Sequence, residues 1–413
     1  MKKYCLIGER LSHSYSAEIH AKNGLNYQLV EVKREDLKEF IAKGYDGFNI
    51  TIPYKKDIIP FLDGVDASAK VIGAVNTAVK VNGGYYGYNT DLDGMRYALK
   101  RKGVNLRGKN VMVLGSGGTS NTATALCKKQ RAKSVVKVSR FGEVNYENYR
   151  NFTDTEVVIN ATPVGMFPNI GVSPVDLRCF PKVEFVFDCI YNPFKTALIM
   201  QAEKLGVSCS DGLPMLVKQA LLAEKLWGET DGKDNTEEIV STLYLKKSNL
   251  VLCGMPSSGK TSVGKIAAEL LGKTFIDTDA EIYKETGRTP AEIIEQDGET
   301  AFRDIETETI KRVGAKSGAV IATGGGAILR EDNVCALKAN GVICYIKRDL
   351  SLLSAGGRPL SASVGIGRLY EERKSLYERS ADFSVDNNGT VSVCARNITR
   401  KLNGWKFNPK KEK

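Results

Sequence analysis

The chain has 413 residues, a length that predicts two or three domains instead of one core. Its residues are 42% hydrophobic and 26% charged, the ordinary balance of a globular protein. No apolar run approaches the roughly 20 residues of a membrane span, and the apolar stretch at the N-terminus is too short to predict a signal peptide. Nine cysteines scattered singly favour free thiols in a reducing compartment, so we expect a cytoplasmic protein without a disulfide framework or a zinc site.

The formal net charge of +11 raises the question of a nucleic-acid partner. Basic residues are dispersed among acidic ones, except in the C-terminal KFNPKKEK, so a solvated surface with sites for small anions accounts for the excess. We therefore expect small-molecule substrates, no nucleic acid and no membrane. Only two histidines are present, His13 and His20, so proton chemistry elsewhere falls to Lys, Asp, Glu, Tyr or Cys. The oligomeric state is left open.

Short β-branched runs alternate with amphipathic helical patterns, which predicts an α/β fold with mostly parallel strands. Three domains are predicted. Residues 1–107 and 210–245 form the first, residues 108–209 the second, and residues 246–413 the third, with a hinge at KKSN, 246–249.

The first domain holds a candidate proton-transfer pair. Lys55 ends NITIPYK, just past a predicted strand, and Asp91 ends YNTD at the start of a helical segment. Because histidine is nearly absent, a lysine oriented by an aspartate is the natural proton donor for a reductase. From composition alone, the alternative is that both are surface residues.

The second domain begins with a candidate dinucleotide-binding loop. VLGSGGTS follows the apolar strand KNVMV and precedes the helical pattern TSNTATALCKK, the context that a pyrophosphate-binding turn requires. The next strand ends in Ser139 and Arg140, where an arginine favours the 2′-phosphate of NADP over the bare ribose of NAD. The alternative for Arg140 is an ordinary surface residue. The predicted cofactor ligands are Gly115, Ser116, Gly117, Gly118, Thr119, Ser139 and Arg140.

The third domain begins with GMPSSGKT, a G-x-x-x-x-G-K-T loop between the strand NLVLC and a helical pattern. Its backbone N–H groups and helix N-terminus cradle phosphates, while Lys260 neutralises charge and Thr261 offers its hydroxyl to Mg²⁺. The alternative is a tight glycine turn that binds nothing. The remaining predicted ATP ligands are Ser257, Ser258, Gly259 and Ser262.

Further along, FIDTD places Asp277 and Asp279 two residues apart, so in an extended chain their carboxylates point the same way. One can serve Mg²⁺ and the other a substrate hydroxyl. A triple glycine follows the strand GAVIAT and permits close approach of a small ligand. Segment 354–368 predicts a mobile lid. Arginine forks for carboxylate or phosphate are Arg303, Arg358 and Arg373, for which the alternative is three surface residues.

Residues 1–245 resemble a shikimate dehydrogenase along their whole length, through HSYS, NITIPYK, GAVNT, NTD, INATPVGM, DCIYNPFKTAL and DGLPMLVKQA. The resemblance implies a two-lobed fold with an α/β substrate domain and a Rossmann NADP domain. It implies that Lys55 and Asp91 are catalytic and that Gly212 lies at the cofactor. Ser139 departs from the usual Asn, which leaves the strictness of NADP over NAD open. The implied substrate ligands are Ser14, Ser16, Asn49, Thr51, Asn76, Tyr191 and Gln219.

Residues 249–405 resemble a shikimate kinase, with GMPSSGKT, DTD, FR, GGG, RP and R-x-x-L-Y in the family's order. The resemblance implies a P-loop fold of the nucleoside-monophosphate-kinase type. It implies catalytic roles for Lys260, Asp279 and Arg358, and Mg²⁺ at Thr261. Of the two aspartates in FIDTD, Asp277 is the one predicted to serve Mg²⁺. Ser375 replaces the usual proline before Leu-Tyr. Shikimate would lie against Asp279, Arg303, Gly325 and Arg373.

The two resemblances together predict NADPH-dependent reduction of 3-dehydroshikimate and ATP- and Mg²⁺-dependent phosphorylation of the shikimate that it yields. Two rivals remain open. One is a quinate/shikimate dehydrogenase joined to a kinase for another small molecule. The other is a nucleotide-binding regulator without catalysis, against which the retained Lys55, Asp91, Lys260, Asp279 and Arg303 speak.

Overall fold

The computed structural model describes residues 2–12, 14–230, 232–353 and 365–407. The chain forms two compact units that divide between Ser241 and Thr242. The predicted boundary between residues 245 and 246 lies in the same helix, Thr236–Lys247, and the three domain boundaries stay predictions. Among the described helices, none combines the length and the apolar character needed to cross a bilayer.

The first unit begins with a mixed six-stranded sheet in the order β2-β1-β3-β5-β6-β4. β1 is parallel to both of its neighbours and buried along its whole length, whereas β5 is antiparallel to β3 and β6. The strands are β1 (Tyr4–Gly8), β2 (Tyr27–Glu31), β3 (Gly47–Ile50), β4 (Gly64–Val65), β5 (Thr77–Val81) and β6 (Gly84–Tyr88).

The same unit contains a parallel five-stranded sheet in the order β11-β10-β9-β7-β8. Its central strands are continuous apolar runs, as expected for a sheet covered on both faces. This parallel sheet with a glycine turn after its first strand is the predicted Rossmann arrangement. The strands are β7 (Asn110–Leu114), β8 (Ser134–Val138), β9 (Val157–Asn160), β10 (Phe185–Asp188) and β11 (Ser208–Ser210).

Helices of the first unit join and cover the two sheets. α7 returns from the second sheet to pack on α4 and α1, so the chain crosses between the two lobes more than once. Its start is set by Pro214 in the first turn and its end by Gly228, which adopts the left-handed conformation. The helices are α1 (Ser16–Lys22), α2 (Leu37–Ala42), α3 (Ala67–Ile72), α4 (Asp91–Arg101), α5 (Gly118–Lys129), α6 (Ala197–Lys204), α7 (Leu213–Trp227) and α8 (Thr236–Lys247), the last containing the division between the units.

The second unit is built on a parallel sheet in the order β13-β14-β12-β15-β16. β12 lies at its centre, every residue of it is buried, and the P-loop follows its carboxyl end. This is the predicted P-loop α/β arrangement. The elements are β12 (Asn249–Cys253), α9 (Lys260–Leu271), β13 (Thr274–Asp277), α10 (Thr278–Thr286), α11 (Pro290–Asp297), α12 (Glu299–Gly314), β14 (Ala319–Ala322), α13 (Glu331–Asn340), β15 (Gly341–Lys347), α14 (Ile366–Ser380), β16 (Phe383–Asp386) and α15 (Val391–Asn403).

Candidate active sites

The first site is centred on an ion pair between Lys55 and Asp91. Lys55 lies in the turn after β3 and Asp91 is the first residue of α4, yet Lys55 Nζ and Asp91 Oδ2 are 2.6 Å apart. Their side chains are only 13% and 6% exposed. Lys55 Nζ also lies 3.5 Å from Thr119 Oγ1 at the start of α5, so the pair faces the second sheet. The sequence predicted this pair, and the structure brings its members together.

Buried amides hold the carboxylate of Asp91 in place. Asn76 Nδ2 donates to Asp91 Oδ1 at 2.9 Å and to Gln219 Oε1 at 3.1 Å. Asn76 Oδ1 accepts the backbone N–H of Thr90 at 2.7 Å. Because one carboxylate oxygen is fixed by Asn76, the other is left to Lys55, and the lysine is oriented by a satisfied network.

Asn49 and Thr51 lie at and just past the end of β3, beside this network. Tyr27 donates its hydroxyl to Asn49 Oδ1 at 2.7 Å, and Asn49 Nδ2 donates to the carbonyl of Asn76 at 3.2 Å and to Thr77 Oγ1 at 3.0 Å. Asn49 is therefore buried and engaged with protein partners, while Thr51 is half-buried. Direct substrate contact by either residue stays a prediction. The contact of Tyr27 with Asn49 was not predicted from the sequence.

Ser14, Ser16 and Tyr191 meet at the start of α1. Ser14 Oγ accepts the backbone N–H of Ser16 at 3.2 Å, and Tyr191, which follows β10, hydrogen-bonds to the Ser14 side chain. Burial raises the pKa of Tyr191 to about 12, against a smaller lowering by the Ser14 hydrogen bond. Tyr191 also packs on Tyr15, with ring centroids 5.2 Å apart. Residues distant in sequence thus supply neutral hydroxyls next to one another, as a carboxylate ligand would require.

The glycine loop after β7 packs closely against the residues around Lys55. Gly115 has a φ of +111°, and a Cβ there would lie 2.9 Å from the carbonyl oxygen of Ala161. A Cβ on Gly118 would lie 3.1 Å from the Cβ of Lys55. Ser116 and Gly117 are exposed at the start of α5. The loop fits a dinucleotide whose pyrophosphate lies on a helix N-terminus, next to the proton-transfer pair.

Three predicted cofactor ligands, Gly212, Ser139 and Arg140, lie outside the glycine loop. A Cβ on Gly212 would lie 2.1 Å from the carbonyl oxygen of Cys189, so close packing against that backbone accounts for the glycine. Ser139 and Arg140 follow the carboxyl end of β8, where Ser139 is half-buried and Arg140 is exposed. The Arg140 guanidinium lies 5.8 Å from the centre of the Phe141 ring.

The second site begins with the P-loop between β12 and α9. Lys260 Nζ donates to the loop carbonyls of Gly254 and Met255, each at 2.9 Å. Thr261 Oγ1 donates to Asp277 Oδ2 at 2.8 Å. A hydroxyl and a carboxylate side by side match the oxygen ligands that Mg²⁺ takes in such sites. Of the other predicted ATP ligands, Ser257 and Gly259 have positive φ, Ser258 is buried and Ser262 is exposed.

A neighbouring loop braces the P-loop in a way that the sequence did not reveal. Asn387 Nδ2 donates to the carbonyl of Ser258 at 2.8 Å, and a Cβ on Gly259 would lie 2.4 Å from that nitrogen. Arg348 donates to the carbonyl of Asn387 at 3.2 Å. An asparagine after the last strand carries no local pattern, so only the fold identifies this contact.

The expectation that Asp277 and Asp279 alternate along one strand is wrong. β13 ends at Asp277, because its Oδ1 accepts the backbone N–H of Asp279 at 3.0 Å and so caps α10. The Asp277 carboxylate therefore accepts hydrogen bonds from the Thr261 hydroxyl and from the first turn of α10. The carboxylate of Asp279, within α10, lies against the triple glycine, with Oδ1 3.1 Å from a Cβ built on Gly324. The two carboxylates still face different parts of the site, Asp277 the P-loop and Asp279 the triple glycine.

A buried charge cluster stands opposite Asp279. Arg303 donates to Glu306 Oε2 at 2.7 Å and to Glu299 Oε1 at 3.0 Å. Burial raises the pKa of Glu306, while the positive charges of Arg303 and then Arg373 lower it and the Asp279 carboxylate raises it. Both arginines are buried. Glu306 was missed in the sequence, although its position three residues after Arg303 on a helix was the available signal.

The triple glycine packs directly against this charge cluster. Tyr377 donates its hydroxyl to the carbonyl of Gly325, and a Cβ on Gly326 would lie 2.4 Å from the Arg303 guanidinium. The close approach expected of these glycines is therefore made by protein groups. Arg358, predicted to reach the ATP phosphates, lies outside the described residues, as does most of the predicted lid.

Two family models match the chain in separate places. Residues 6–78 match the shikimate dehydrogenase substrate binding domain, and residues 256–403 match shikimate kinase. The first match contains Lys55 and Asn76, and the second contains the P-loop from Pro256 onward and the charge cluster.

Known proteins similar to the chain cover its N-terminal part. The shikimate dehydrogenase (NADP⁺) of Clostridium perfringens is 36% identical over 262 residues, which are 58% of this chain and 96% of that protein. A Peptoclostridium difficile shikimate dehydrogenase structure is 33% identical with a TM-score of 0.56, covering 59% of this chain and 98% of that one. The Thermus thermophilus shikimate 5-dehydrogenase in complex with NADP(H) and shikimate is 29% identical with a TM-score of 0.52, covering 58% and 98%. This chain therefore belongs to the shikimate dehydrogenase family and carries a shikimate kinase domain C-terminal to it.

Proposed function

We propose that the chain catalyses two successive reactions, reduction of 3-dehydroshikimate to shikimate with NADPH and transfer of phosphate from ATP to the shikimate 3-hydroxyl. The observation that carries the proposal is the buried Lys55–Asp91 pair, 2.6 Å apart beside the dinucleotide loop, in a chain whose second unit matches shikimate kinase. The relatives that act on shikimate with NADP support the first half.

In the first reaction, Lys55 is the proton donor. NADPH supplies the hydride for the C3 carbonyl when it is bound. Lys55 Nζ, held by Asp91, donates a proton to the carbonyl oxygen as that oxygen gains negative charge, and so completes the alcohol. Asn76 keeps the aspartate from turning away from the lysine. The hydroxyls of Ser14, Ser16 and Tyr191 would hold the substrate carboxylate.

In the second reaction, the protein mainly positions groups and balances charge. ATP with Mg²⁺ supplies the phosphoryl group when it is bound. Thr261 and Asp277 would hold the metal ion, and Lys260 would lie against the phosphates. Asp279 would accept the hydrogen bond of the shikimate 3-hydroxyl. Arg303 and Arg373 would bind the carboxylate, since both positive charges act on Glu306 and the Arg303 guanidinium lies against the triple glycine.

A substrate panel on the intact chain tests both halves separately. We expect NADP⁺ reduction with shikimate to exceed that with quinate by at least roughly ten-fold in kcat/KM, and ATP-dependent ADP release with shikimate to exceed that with other small hydroxy acids. Preference for quinate contradicts the first half, and a different preferred acceptor contradicts the second. A chain that binds the nucleotides without turnover would be the regulator.

A further inference from the structure

Two lysines outside the motifs NITIPYK and VLGSGGTS, Lys56 and Lys137, lie close to the dinucleotide loop. Lys56 lies in the first lobe, directly after Lys55, and its Nζ donates to the carbonyl of Ser116 at 3.3 Å. Lys137 lies in β8, and its Nζ donates to Asn121 Oδ1 in α5 at 2.9 Å. Both ammonium groups therefore lie beside the start of α5, and one of them comes from the opposite lobe.

The local charge at this point is unbalanced. Within the part of the chain that the structure describes, Lys56 and Lys137 contact only neutral oxygens and have no carboxylate at ion-pair distance. Burial lowers the pKa of Lys137, and the positive charge of Lys56 lowers it further. Two like charges next to a helix N-terminus, itself partly positive, create a strong local demand for an anion.

The position of β8 identifies which anion would lie there. In a Rossmann fold, the end of the second strand is where the adenosine ribose and its 2′ substituent lie. Lys137 and Ser139 are two residues apart along extended chain, so their side chains leave the strand on the same face. The hydroxyl of Ser139 carries no charge, and Arg140 is exposed against Phe141. Arg140 supplies one positive charge just after β8, and Lys56 and Lys137 supply two more beside the start of α5.

We propose that Lys56 and Lys137 bind the 2′-phosphate of NADPH and are specificity-determining residues for the first reaction. This inference rests on the proposed NADPH-dependent reduction. Lys56 reaches the cofactor from the substrate-binding lobe, so binding of the phosphorylated cofactor draws on both lobes, whereas NADH would leave the two lysines without their anion.

The test measures cofactor binding directly, through the change in nicotinamide fluorescence when NADPH or NADH is added to the intact chain. Lys56→Gln and Lys137→Gln should each weaken NADPH binding roughly ten-fold and leave the dissociation constant for NADH within about two-fold. Lys128→Gln is the matched control, because Lys128 is an exposed lysine near the other end of α5. Lys56→Arg, which keeps the charge, should restore most of the NADPH affinity.

The possible results distinguish two questions: whether the chain binds the cofactor at all, and whether the two lysines discriminate NADPH from NADH. Equal weakening of NADPH and NADH binding would mean a contact with the shared pyrophosphate and would overturn the inference, as would unchanged binding of both cofactors. A wild-type chain that binds neither cofactor would contradict the proposed reduction itself. Retained kinase activity in each variant shows that the second unit is intact, and an unchanged unfolding profile shows that the first unit is folded.

Discussion

Lys55 is mostly buried, is paired with a fixed carboxylate and lies between the two lobes of the first unit. Its ammonium has Asp91 at 2.6 Å and Thr119 at 3.5 Å, and its stem packs on Gly118. A lysine held this way is oriented for a substrate carbonyl by an aspartate, in a lobe where the chemistry does not need histidine. Lys260 is held differently, by carbonyls of its own loop, which suits a group that neutralises phosphate charge instead of moving protons.

Replacing Lys55 should remove the first activity alone. Lys55→Met deletes the proton donor, so we expect kcat for shikimate oxidation with NADP⁺ to fall by roughly 10²–10⁴-fold. Phosphorylation of added shikimate should be unchanged. Lys80→Met, at an exposed position in β5, is the control and should leave both rates unaltered. Dehydrogenase activity that survives Lys55→Met would show that another group donates the proton.

The reciprocal change should remove the second activity alone. Lys260→Met deletes the positive charge beside the loop phosphates, so ADP release with saturating shikimate should fall below roughly one hundredth of the wild-type rate. NADP⁺ reduction should stay within about two-fold of the wild-type rate. Lys265→Met, an exposed lysine in the same helix, is the matched control. Equal loss of ADP release in both variants would argue against a specific role for Lys260.

Among the elements, α12 carries the part of the kinase site that the sequence revealed only partly. Its inner face presents Arg303 and Glu306 to the triple glycine, and its outer face carries the exposed Glu308. A buried ion pair is costly to break, since removing one partner leaves the other charge uncompensated. Glu306 thus fixes the guanidinium that would bind the shikimate carboxylate.

Neutralising Glu306 should therefore weaken shikimate binding more than ATP binding. Glu306→Gln should raise KM for shikimate roughly ten-fold and leave KM for ATP within about two-fold. Burial raises the pKa of Glu306 above its ordinary value of 4.5, so in the wild type protonation begins at a higher pH than for an exposed glutamate. KM for shikimate should then rise as the pH falls, and this rise should be absent in Glu306→Gln. Glu308→Gln is the control, and a parallel pH profile in Glu306→Gln would contradict the assignment.

The end of α8 is a second element held by one residue. Lys273 Nζ donates to the carbonyls of Leu245, Lys246 and Ser248 at 2.7–2.9 Å, which satisfies carbonyls that a helix end leaves without intrahelical partners. Lys273 thereby fixes the end of α8 within the second unit, directly before β12 and its P-loop.

Removing this lysine should destabilise the second unit. Lys273→Met leaves those carbonyls without their donor, and we expect a loss of roughly 1–3 kcal/mol in the free energy of unfolding. Burial lowers the pKa of Lys273 from 10.5 to about 8, so the wild type binds fewer protons than its unfolded chain between these values. Its stability relative to Lys273→Met should rise with pH across that window. Denaturant unfolding followed by loss of kinase activity measures both effects, with Lys265→Met as control. Identical unfolding midpoints would refute the role.

At the scale of the whole molecule, the features that depend on short sequence patterns were predicted from the sequence. The α/β class, the Rossmann arrangement and the P-loop fold are confirmed, because apolar strands and glycine turns specify them within short segments. The roles of the site residues stay predictions. The structure does bring Lys55 next to Asp91, and it places Arg303 and Arg373 where both charges act on Glu306. Asn387, Tyr27 and the lysines at the dinucleotide loop could not be found, since they meet their partners through tertiary folding that no spacing encodes.

The strand expected to carry both Asp277 and Asp279 shows the other limit. The helix begins there because the backbone N–H of Asp279 donates to Asp277 Oδ1, and the pattern FIDTD does not reveal this hydrogen bond. In the proposed function, the product of the first reaction is the substrate of the second. Both activities are therefore expected in the same polypeptide.

The most direct measurement is one reaction containing the intact chain, 3-dehydroshikimate, NADPH, ATP and Mg²⁺, with NADPH loss and ADP release followed together. We predict that ADP appears only when NADPH is present, in equal amount and after a lag, and that adding shikimate removes the need for NADPH. ADP release from 3-dehydroshikimate without NADPH, or NADPH loss without ADP release even when shikimate is added, would contradict the account.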